Sequence, residues 1–244
     1  VYRLPNVFGK WSQPNYNSFV ATFCYNIANN IPISVNEPEK EVRLAYIDDV
    51  IADFVHIMEN KQLMEGGVYR SLPVSYSSRV SDIASKISDF PRLLAAGNVP
   101  DLKDVLTKKL YSTYISYLPY EKMLYPLLTH KDGRGSFTEL FKTQDRGQVS
   151  VNISRPGISK GNHWHQSKIE KFIVVSGNAL IELRKVNTDE VVSYRVSGNN
   201  LCQVAIPPGY THKLTNTGDG DLVTIIWTNE AFDPLRPDTY YLEV

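Results

Sequence analysis

Apolar residues in the first half of the chain recur every three or four positions, the spacing of helices that bury one side. The pattern predicts a helix over 17–30, with a buried side formed by Phe19, Val20, Phe23 and Ile27. It predicts a second helix after 42–50, with a buried side formed by Val50, Ile51, Phe54, Val55 and Ile57. A third helix begins within 77–84, where serine or aspartate can cap free amides. Short strands are predicted over 1–9, 31–35 and 68–72.

The second half of the chain changes to short apolar runs at regular spacing, which indicate β-strands. The predicted strands cover 148–154, 171–175, 179–185, 191–196, 203–206, 213–216 and 222–228. Such a series predicts an all-β, barrel-like double sheet. Between the halves, leucine and tyrosine recur at helical spacing over 93–128, which favours one or two helices that bury aromatic rings. We place the domain boundary at His130, which gives domains 1–129 and 130–244.

Composition adds few constraints beyond those of a globular protein. A chain of 244 residues suits one large domain or two ordinary ones. Its 26 basic and 26 acidic residues balance, so the net charge suggests neither nucleic acid nor an acidic membrane surface as a partner. Cys24 and Cys202 lie far apart, which indicates no disulfide framework. No apolar run is long enough for a transmembrane helix and no signal peptide opens the chain, so we expect a cytoplasmic protein.

Three histidines and a glutamate form the clearest candidate for chemistry. His163 and His165 stand two apart, and side chains two apart on a strand face the same side. Glu170 follows in the same stretch, and His212 lies in a second stretch downstream. Imidazole and carboxylate ligands suit a divalent metal such as zinc, iron, nickel or manganese. The alternative is ordinary hydrogen-bonding strand residues, but these three are among only five histidines in the chain.

The same residues lie in two motifs that resemble those of the cupin family. The first, G-x5-H-x-H-x4-E-x6-G, runs over 157–177, and the second, P-x-G-x2-H-x3-N, runs over 207–216. The glycine that opens the second motif in the family is absent, which indicates a longer hairpin before Pro207. The resemblance implies an all-β cupin barrel (a double-stranded β-helix) that holds zinc or another divalent metal through His163, His165, Glu170 and His212.

The first half resembles the C-terminal, sugar-nucleotide-binding part of extended short-chain dehydrogenase/reductases. The resemblance rests on R-L-x-N-V-F-G over 3–9 and R-x-x-Y-I-D-D-V over 43–50. It implies an α/β fold in which Asn6 and Arg43 contact a nucleotide diphosphate sugar, since a guanidinium forks onto phosphate. The alternative for Arg43 is an ion pair with Asp48 or Asp49, two acids that suit a helix N-terminus.

Two signatures of that reductase family are missing from the sequence. No G-x-x-G-x-x-G dinucleotide fingerprint occurs, and no Y-x-x-x-K pair precedes the R-L-x-N run. We therefore expect a fragment that lacks the N-terminal, NADPH-binding half of the reductase. NADPH is expected to bind only to the full-length protein, and we expect no reductase activity from this chain.

The second half opens with D-x-R-G-x-F-x-E-x-F over 132–141, which resembles the dTDP-4-keto-6-deoxyhexose 3,5-epimerases. Those enzymes are also cupins, and their matching arginine, phenylalanine and glutamate help to hold the nucleotide diphosphate. The resemblance implies a substrate-binding role for Arg134, Phe137 and Glu139. The alternative is a β-hairpin that turns at Gly133 and binds nothing.

Over its whole length the chain resembles the bifunctional enzymes of capsular polysaccharide synthesis, which fuse such a reductase to a metal-binding cupin. The resemblance implies that the cupin epimerises C3 of a UDP-4-keto-6-deoxy-N-acetylhexosamine. NADPH at the reductase domain then reduces C4 to give UDP-N-acetyl-6-deoxy-L-talosamine, a precursor of N-acetyl-L-fucosamine. A homodimer is expected too, because cupins commonly share strands and the fused reductase family dimerises.

Epimerisation next to a ketone needs a base, a proton donor and a positive charge near the developing enolate. The related metal-free epimerases use a histidine at the position of His163, but a metal-bound His163 has no free lone pair. Lys168, Lys171 and Tyr210 are the other candidates for the base, and the alternative for each is a surface or rim residue. Zinc could act as a Lewis acid or be structural.

Two other functions stay open. The cupin could be a non-catalytic metal-binding domain that binds sugar nucleotide or dimerises, with all chemistry in the missing half. A weaker alternative is a metal dioxygenase or sugar isomerase, because many cupins with three histidines and one glutamate are such enzymes. The motif over 132–141 and the reductase-like half favour nucleotide sugars.

Overall fold

The computed structural model describes residues 1–60, 69–143 and 145–244 of the chain. These residues divide into two units, the first made of Val1–Ala96 with Pro100–Tyr125 and the second of Gly97–Val99 with Pro126–Val244. The sequence prediction placed the division between residues 129 and 130. Each unit has a hydrophobic core of its own.

The first unit combines a small sheet with helices. Its elements are β1 (Asn6–Phe8), α1 (Phe19–Ala28), β2 (Glu41–Tyr46), α2 (Ile47–Asn60), β3 (Tyr76–Arg79), α3 (Val80–Ala95), α4 (Val105–Ile115) and a short 3-10 helix (Tyr120–Lys122). β1 pairs with β2 in parallel, and β2 pairs with β3 antiparallel. Phe8 of the sheet and the facing sides of α1, α3 and α4 bury a core that includes Ile83, Leu110 and Tyr114. This is the α/β fold that the sequence predicted.

Helix α1 confirms the helical pattern read from the sequence. The hydroxyl of Ser18 accepts a hydrogen bond from the amide of Ala21 at 3.3 Å and so caps the helix. Val20 and Phe23 are buried, and Phe19 and Ile27 pack against the core from partly buried positions.

Helix α2 departs from its predicted orientation. Val50 is buried as expected, but Ile51, Phe54 and Val55 are exposed, and Ile57 is only partly buried. The other buried residue of α2 is Asp53. Its carboxylate accepts hydrogen bonds from the Tyr2 hydroxyl at 2.6 Å and from the Arg70 guanidinium at 2.7 Å. The buried side of α2 is therefore formed by Val50 and the paired Asp53, and not by the whole predicted apolar stripe.

Three strands predicted in the first unit differ from the structure, because they are shorter than predicted or do not form. Within 1–9 only Asn6–Phe8 forms a strand. Residues 31–35 form none, because Pro32 lacks the amide hydrogen that a ladder needs. Of the strand predicted over 68–72, residue 68 lies outside the described residues, and in 69–72 Arg70 makes only an isolated bridge to Tyr2.

The predicted start of the third helix also needs correction. Ser77 and Ser78 lie in β3, where they pair with Arg43 and Val42 of β2, so α3 begins only at Val80. The N-cap residue of α3 is Arg79, and its side chain makes no capping hydrogen bond to the described first turn of the helix. In the joining segment over 93–128, the helices are the end of α3, α4 and the short 3-10 helix, as far as the described residues show.

The second unit consists of strands. They are β4 (Asn98–Val99), β5 (Thr129–Asp132), β6 (Gly135–Thr143), β7 (Gly147–Ser154), β8 (Ser159–Trp164), β9 (Glu170–Ser176), β10 (Asn178–Lys185), β11 (Val191–Ser197), β12 (Gln203–Ile206), β13 (Tyr210–Asn216), β14 (Leu222–Thr228) and β15 (Tyr240–Tyr241). One sheet has the order β11-β10-β13-β8-β15, and the other has the order β12-β9-β14-β7-β6-β4 with β5 added to β6. All pairs are antiparallel except β4 with β6. The predicted strands lie within β7 and β9 to β14, although the one over 213–216 covers only the second part of β13, and the double-sheet prediction is confirmed.

Strand alternation builds the core of the second unit. Phe172 and Val174 of β9 and Ile181 and Leu183 of β10 are buried, and Ile206, Leu214 and Leu222 from other strands join them. This apolar core occupies only part of the space enclosed by the strands, and the remainder is the cavity described below. No helix in the described residues is long and apolar enough to cross a membrane.

Candidate metal centre and its cavity

Strand pairing in the second unit brings the predicted metal ligands together. His163 on β8 lies directly across from His212 on β13, while His165 follows β8 and Glu170 opens β9. One ligand atom from each of these four residues lies within 4.8 Å of the others. The Nε2 atoms of His212 and His165 approach Glu170 Oε2 to 3.1 Å and 3.3 Å.

The cluster leaves polar atoms unsatisfied in a buried place. His165, Glu170 and His212 are buried, and His163 is partly buried. His165 Nε2, Glu170 Oε2 and His212 Nδ1 have no hydrogen-bond partner among the described residues. A buried polar atom without a partner costs free energy, and a cation between His165 Nε2 and Glu170 Oε2 would satisfy both of these atoms.

His165 is oriented by a backbone carbonyl. Its Nδ1 lies 2.5 Å from the carbonyl oxygen of Asp238, so Nδ1–H donates there and the lone pair of Nε2 faces the cluster. Metal ligands commonly have such a support behind them. The residues present therefore fit a divalent metal.

The pKa shifts of His163 and Glu170 agree with this fit, whereas burial lowers the pKa of His165 but the adjacent Glu170 outweighs burial and raises it. The pKa of His163 is lowered to about 4, first by burial and then by the neighbouring His212. Burial raises the pKa of Glu170, but its close approach to His165 and His212 outweighs burial, so the pKa is lowered. A neutral imidazole and an ionised carboxylate are the forms that bind metal.

The cluster forms part of the wall of a cavity of about 460 Å³ within the second unit. Of the residues predicted to bind substrate, Phe137 and Glu139 line this cavity. Arg134 does not line it; its guanidinium instead pairs with Asp132 at 2.7 Å at the exposed end of the β5–β6 hairpin.

The structure separates the candidate bases. Lys168 lines the cavity together with His163, and its Nζ donates to the carbonyl oxygen of Pro237 at 3.0 Å. Lys171 follows Glu170 on β9, so strand alternation turns it to the opposite face, where its Nζ lies 5.3 Å from the ring centre of Trp227. Tyr210 packs against the apolar core and does not line the described cavity. Lys171 and Tyr210 are therefore not brought to the cluster.

Asn6 and Arg43 are neighbours in the first unit. The Asn6 side chain donates to the carbonyl oxygen of Arg43 at 3.2 Å, and it lines a hollow of about 710 Å³. The Arg43 guanidinium donates to the Ser75 hydroxyl at 2.9 Å. The alternative of an ion pair between Arg43 and the first acids of α2 is wrong, because Asp48 pairs with Lys10 and Asp49 with Lys109.

One wall of the cavity is polar and was not predicted from the sequence. On β7 the inward side chains are Gln148, Ser150 and Asn152, while valine and isoleucine alternate with them on the other face. The alternation is visible in the sequence, but not which face is inside. Lys160 of β8 was missed as well, and it lines the cavity beside this wall.

Two facing sheets of mostly antiparallel strands, with three histidines and a glutamate in an internal cavity, define the second unit as a cupin domain whose cluster is compatible with a divalent metal. Residues 130–240 match the family model described as the polysaccharide biosynthesis C-terminal domain. With its α/β first unit included, the chain belongs to the family of the capsular polysaccharide assembling protein CapF.

The family assignment rests on similarity over the full chain. The crystal structure of CapF from Staphylococcus aureus is 52% identical, with a TM-score of 0.93, and the match covers 100% of this chain and 71% of that one. The UDP-2-acetamido-2,6-beta-L-arabino-hexul-4-ose reductase of Pseudomonas aeruginosa is 41% identical over 100% of this chain, which spans 65% of that relative. The spore coat polysaccharide biosynthesis protein SpsL of Bacillus subtilis is 29% identical over 46% of this chain and 81% of its own length.

Proposed function

We propose that the cupin domain epimerises C3 of a UDP-4-keto-6-deoxy-N-acetylhexosamine. In the full-length protein, NADPH then reduces C4 to give UDP-N-acetyl-6-deoxy-L-talosamine, towards UDP-N-acetyl-L-fucosamine. The observation that carries the proposal is the buried His163, His165, Glu170 and His212 cluster on the wall of a cavity of about 460 Å³. The name of the Pseudomonas aeruginosa relative supports it, since a hexul-4-ose carries its ketone at C4.

The proposed chemistry requires few groups. A hydrogen on the carbon next to a ketone is acidic because the electrons left behind delocalise onto the ketone oxygen. The protein must therefore remove that hydrogen, stabilise the enolate and allow a proton to return on the other face. A divalent metal such as zinc, held by the four clustered residues, would supply positive charge near the enolate.

Each unit has its own candidate residues for binding a sugar nucleotide. In the cupin, Phe137 offers an aromatic face and Glu139 a polar edge inside the cavity, with Arg134 at the hairpin end as the candidate phosphate contact. In the first unit, Asn6 and Arg43 are retained as candidates for the sugar-nucleotide site of the reductase. A UDP-sugar is the substrate class that both sets of residues suit.

A second candidate is a non-catalytic metal-binding cupin that serves sugar-nucleotide binding or dimerisation. One observation favours it: the cluster offers four protein ligands, the number found in structural zinc sites, whereas catalytic zinc sites usually have three protein ligands and keep one position open. Under this alternative the cavity still binds the sugar nucleotide, but no proton leaves C3.

The deciding measurement is deuterium incorporation at C3 of the UDP-4-keto-6-deoxy-N-acetylhexosamine, followed by NMR in deuterium oxide. The zinc-loaded chain is used without NADPH, so that reduction cannot contribute. We expect exchange at C3. UDP-N-acetylglucosamine, which has no ketone, is the control and should not exchange. Substrate binding without any exchange would overturn the epimerase proposal and support the non-catalytic alternative.

A further inference from the structure

An irregularity in strand β8 changes which side chains face the cavity. His163 pairs with His212 of β13, but the next pair along is Gly161 with Lys213, so the strand contains one extra residue, Asn162. Asn162 has a positive φ of 56°, as expected for the inserted residue of a β-bulge. Bulges of this kind redirect side chains and are common next to active sites.

The bulge places Lys160 on the inner face. Lys160 pairs with Leu214, and both Leu214 and His212 on the facing strand line the cavity. On a regular strand, Lys160 and His163 would face opposite sides, because they are three residues apart. With one residue bulged out, both point inward, and both line the cavity.

Gly161 allows this geometry. Its φ of 117° is strained for any residue with a side chain, and a Cβ there would lie 2.4 Å from the carbonyl oxygen of His212. The close approach of β8 to β13 at the bulge therefore depends on glycine.

Two neutral acceptors hold the Lys160 amine. Nζ donates to Asn152 Oδ1 at 2.7 Å and to the carbonyl oxygen of Ile153 at 3.0 Å. The Asn152 amide is itself oriented, because its Nδ2 donates to the Ser154 hydroxyl at 3.1 Å. A neutral amine has two hydrogens, which these two acceptors satisfy, and its lone pair is then left free for the cavity.

The surroundings of Lys160 favour loss of its proton. Burial lowers the pKa of the Lys160 amine. The negative charge of Asp132 raises this pKa and the positive charge of Arg134 lowers it, and the net shift is downward. No carboxylate forms an ion pair with Lys160 among the described residues. The other lysine of the cavity, Lys168, has its Nζ 5.9 Å from the centre of the Phe232 ring and donates a hydrogen bond to the carbonyl oxygen of Pro237.

We propose that Lys160 is the base that removes the C3 proton, an inference that rests on the proposed epimerase function. The C3–H bond breaks, the proton forms a new N–H bond on Nζ, and the C–H electron pair moves into the enolate, whose charge rests on the C4 oxygen. A water molecule on the other face donates a proton to C3, and the hydroxide that remains takes the proton of the Lys160 ammonium, which restores water and the neutral amine. His163 can then remain a metal ligand throughout.

The test compares C3 exchange rates of zinc-loaded wild type with three variants. Lys160→Met removes the amine at similar length, and Lys160→Arg keeps a positive charge that cannot be lost at working pH. Lys185→Met, at the exposed end of β10, is the matched control. Zinc content and melting temperature are measured for each variant, and binding of the UDP-sugar is measured by calorimetry.

We expect both Lys160 variants to lower the exchange rate by about 100-fold or more, the usual contribution of a general base, with zinc retained and the control unchanged. If Lys160→Met loses zinc or melts earlier than wild type, the C3 exchange rate of Lys160→Arg is the one compared with wild type. Exchange at the wild-type rate in either folded variant would overturn the role of Lys160 and leave the epimerase function intact. An absence of exchange in the wild type would overturn both.

Discussion

At the scale of residues, the metal centre is a set of groups that lack partners until a cation joins them. Glu170 Oε2 and His165 Nε2 are buried and unsatisfied among the described residues. Each such atom costs about 1–3 kcal/mol. Binding of a divalent ion to the folded state alone would therefore both satisfy them and stabilise the fold.

Removal of one ligand should abolish tight metal binding. For His212→Ala or Glu170→Ala we expect loss of metal from the purified protein and a lower melting temperature. At a free metal concentration of 100 times Kd, the lost stabilisation is about 2.7 kcal/mol. Elemental analysis and thermal melts check this. His130→Ala, which removes an exposed histidine of the same cavity outside the cluster, is the control. Unchanged metal content in the ligand variants would contradict the assigned shell.

Some of these residues could be predicted from the sequence and others could not, for one geometrical reason. Spacing of two on a strand predicts a shared face for His163 and His165, and both residues do lie in the cluster. The same alternation turns Lys171 to the opposite face from Glu170, so the strand β9 argues against Lys171 as the base. Lys160 could not be found, because the bulge at Asn162 changes the face by a backbone irregularity that spacing does not reveal.

At the scale of elements, the segment after β14 fastens the loop that carries His165. The carboxylate of Asp238 accepts hydrogen bonds from the amides of Gln166, Ser167 and Lys168, each at 2.9 Å. The carbonyl of the same residue holds the His165 ring. No sequence pattern links the loop to a residue so far downstream, so this support was not predicted.

Asp238→Asn should loosen that loop. Burial raises the pKa of Asp238, but the amides of Ser167, Gln166 and Lys168 outweigh it and lower the pKa to about 2. Because the folded pKa lies below the ordinary 3.8, the ionised carboxylate stabilises the fold above about pH 4, and this stabilisation is lost as the pH falls towards 2.

Melting curves between pH 2 and 7 measure the effect, with exposed Asp219→Asn as the control. We expect Asp238→Asn to melt earlier than wild type at pH 7, and the difference between them to shrink as the pH falls towards about 2. Metal affinity should weaken by about 10-fold or more, as when a group behind a ligand is altered. A constant difference across this pH range would contradict the assigned role of the carboxylate.

At the scale of the whole molecule, the two units each bury their own core, and the second presents an open sheet edge. Strand β11 ends one sheet and exposes Val191, Val192 and Tyr194. Sheet edges of this kind can pair with another chain. The homodimer expected from the sequence stays a prediction, and the β11 edge is a surface that such a dimer could cover.

Light scattering after gel filtration measures the assembly directly. We expect a mass about twice the 27.6 kDa of the chain, because a dimer would cover exposed apolar strand surface. The measurement is repeated over a range of concentrations, so that a weak dimer is distinguished from a stable one. A mass equal to one chain at the highest concentration would contradict the prediction.

The bulge in β8 also bears on how members of this family should be aligned. Whether the lysine at 160 faces the cavity depends on the number of residues between it and His163, and not only on its identity. A homologue that lost one residue from this stretch would keep both side chains and yet turn the lysine outward. During evolution, deletion or insertion of a single codon could therefore remove an amine from the cavity or add one, and percentage identity would hardly change.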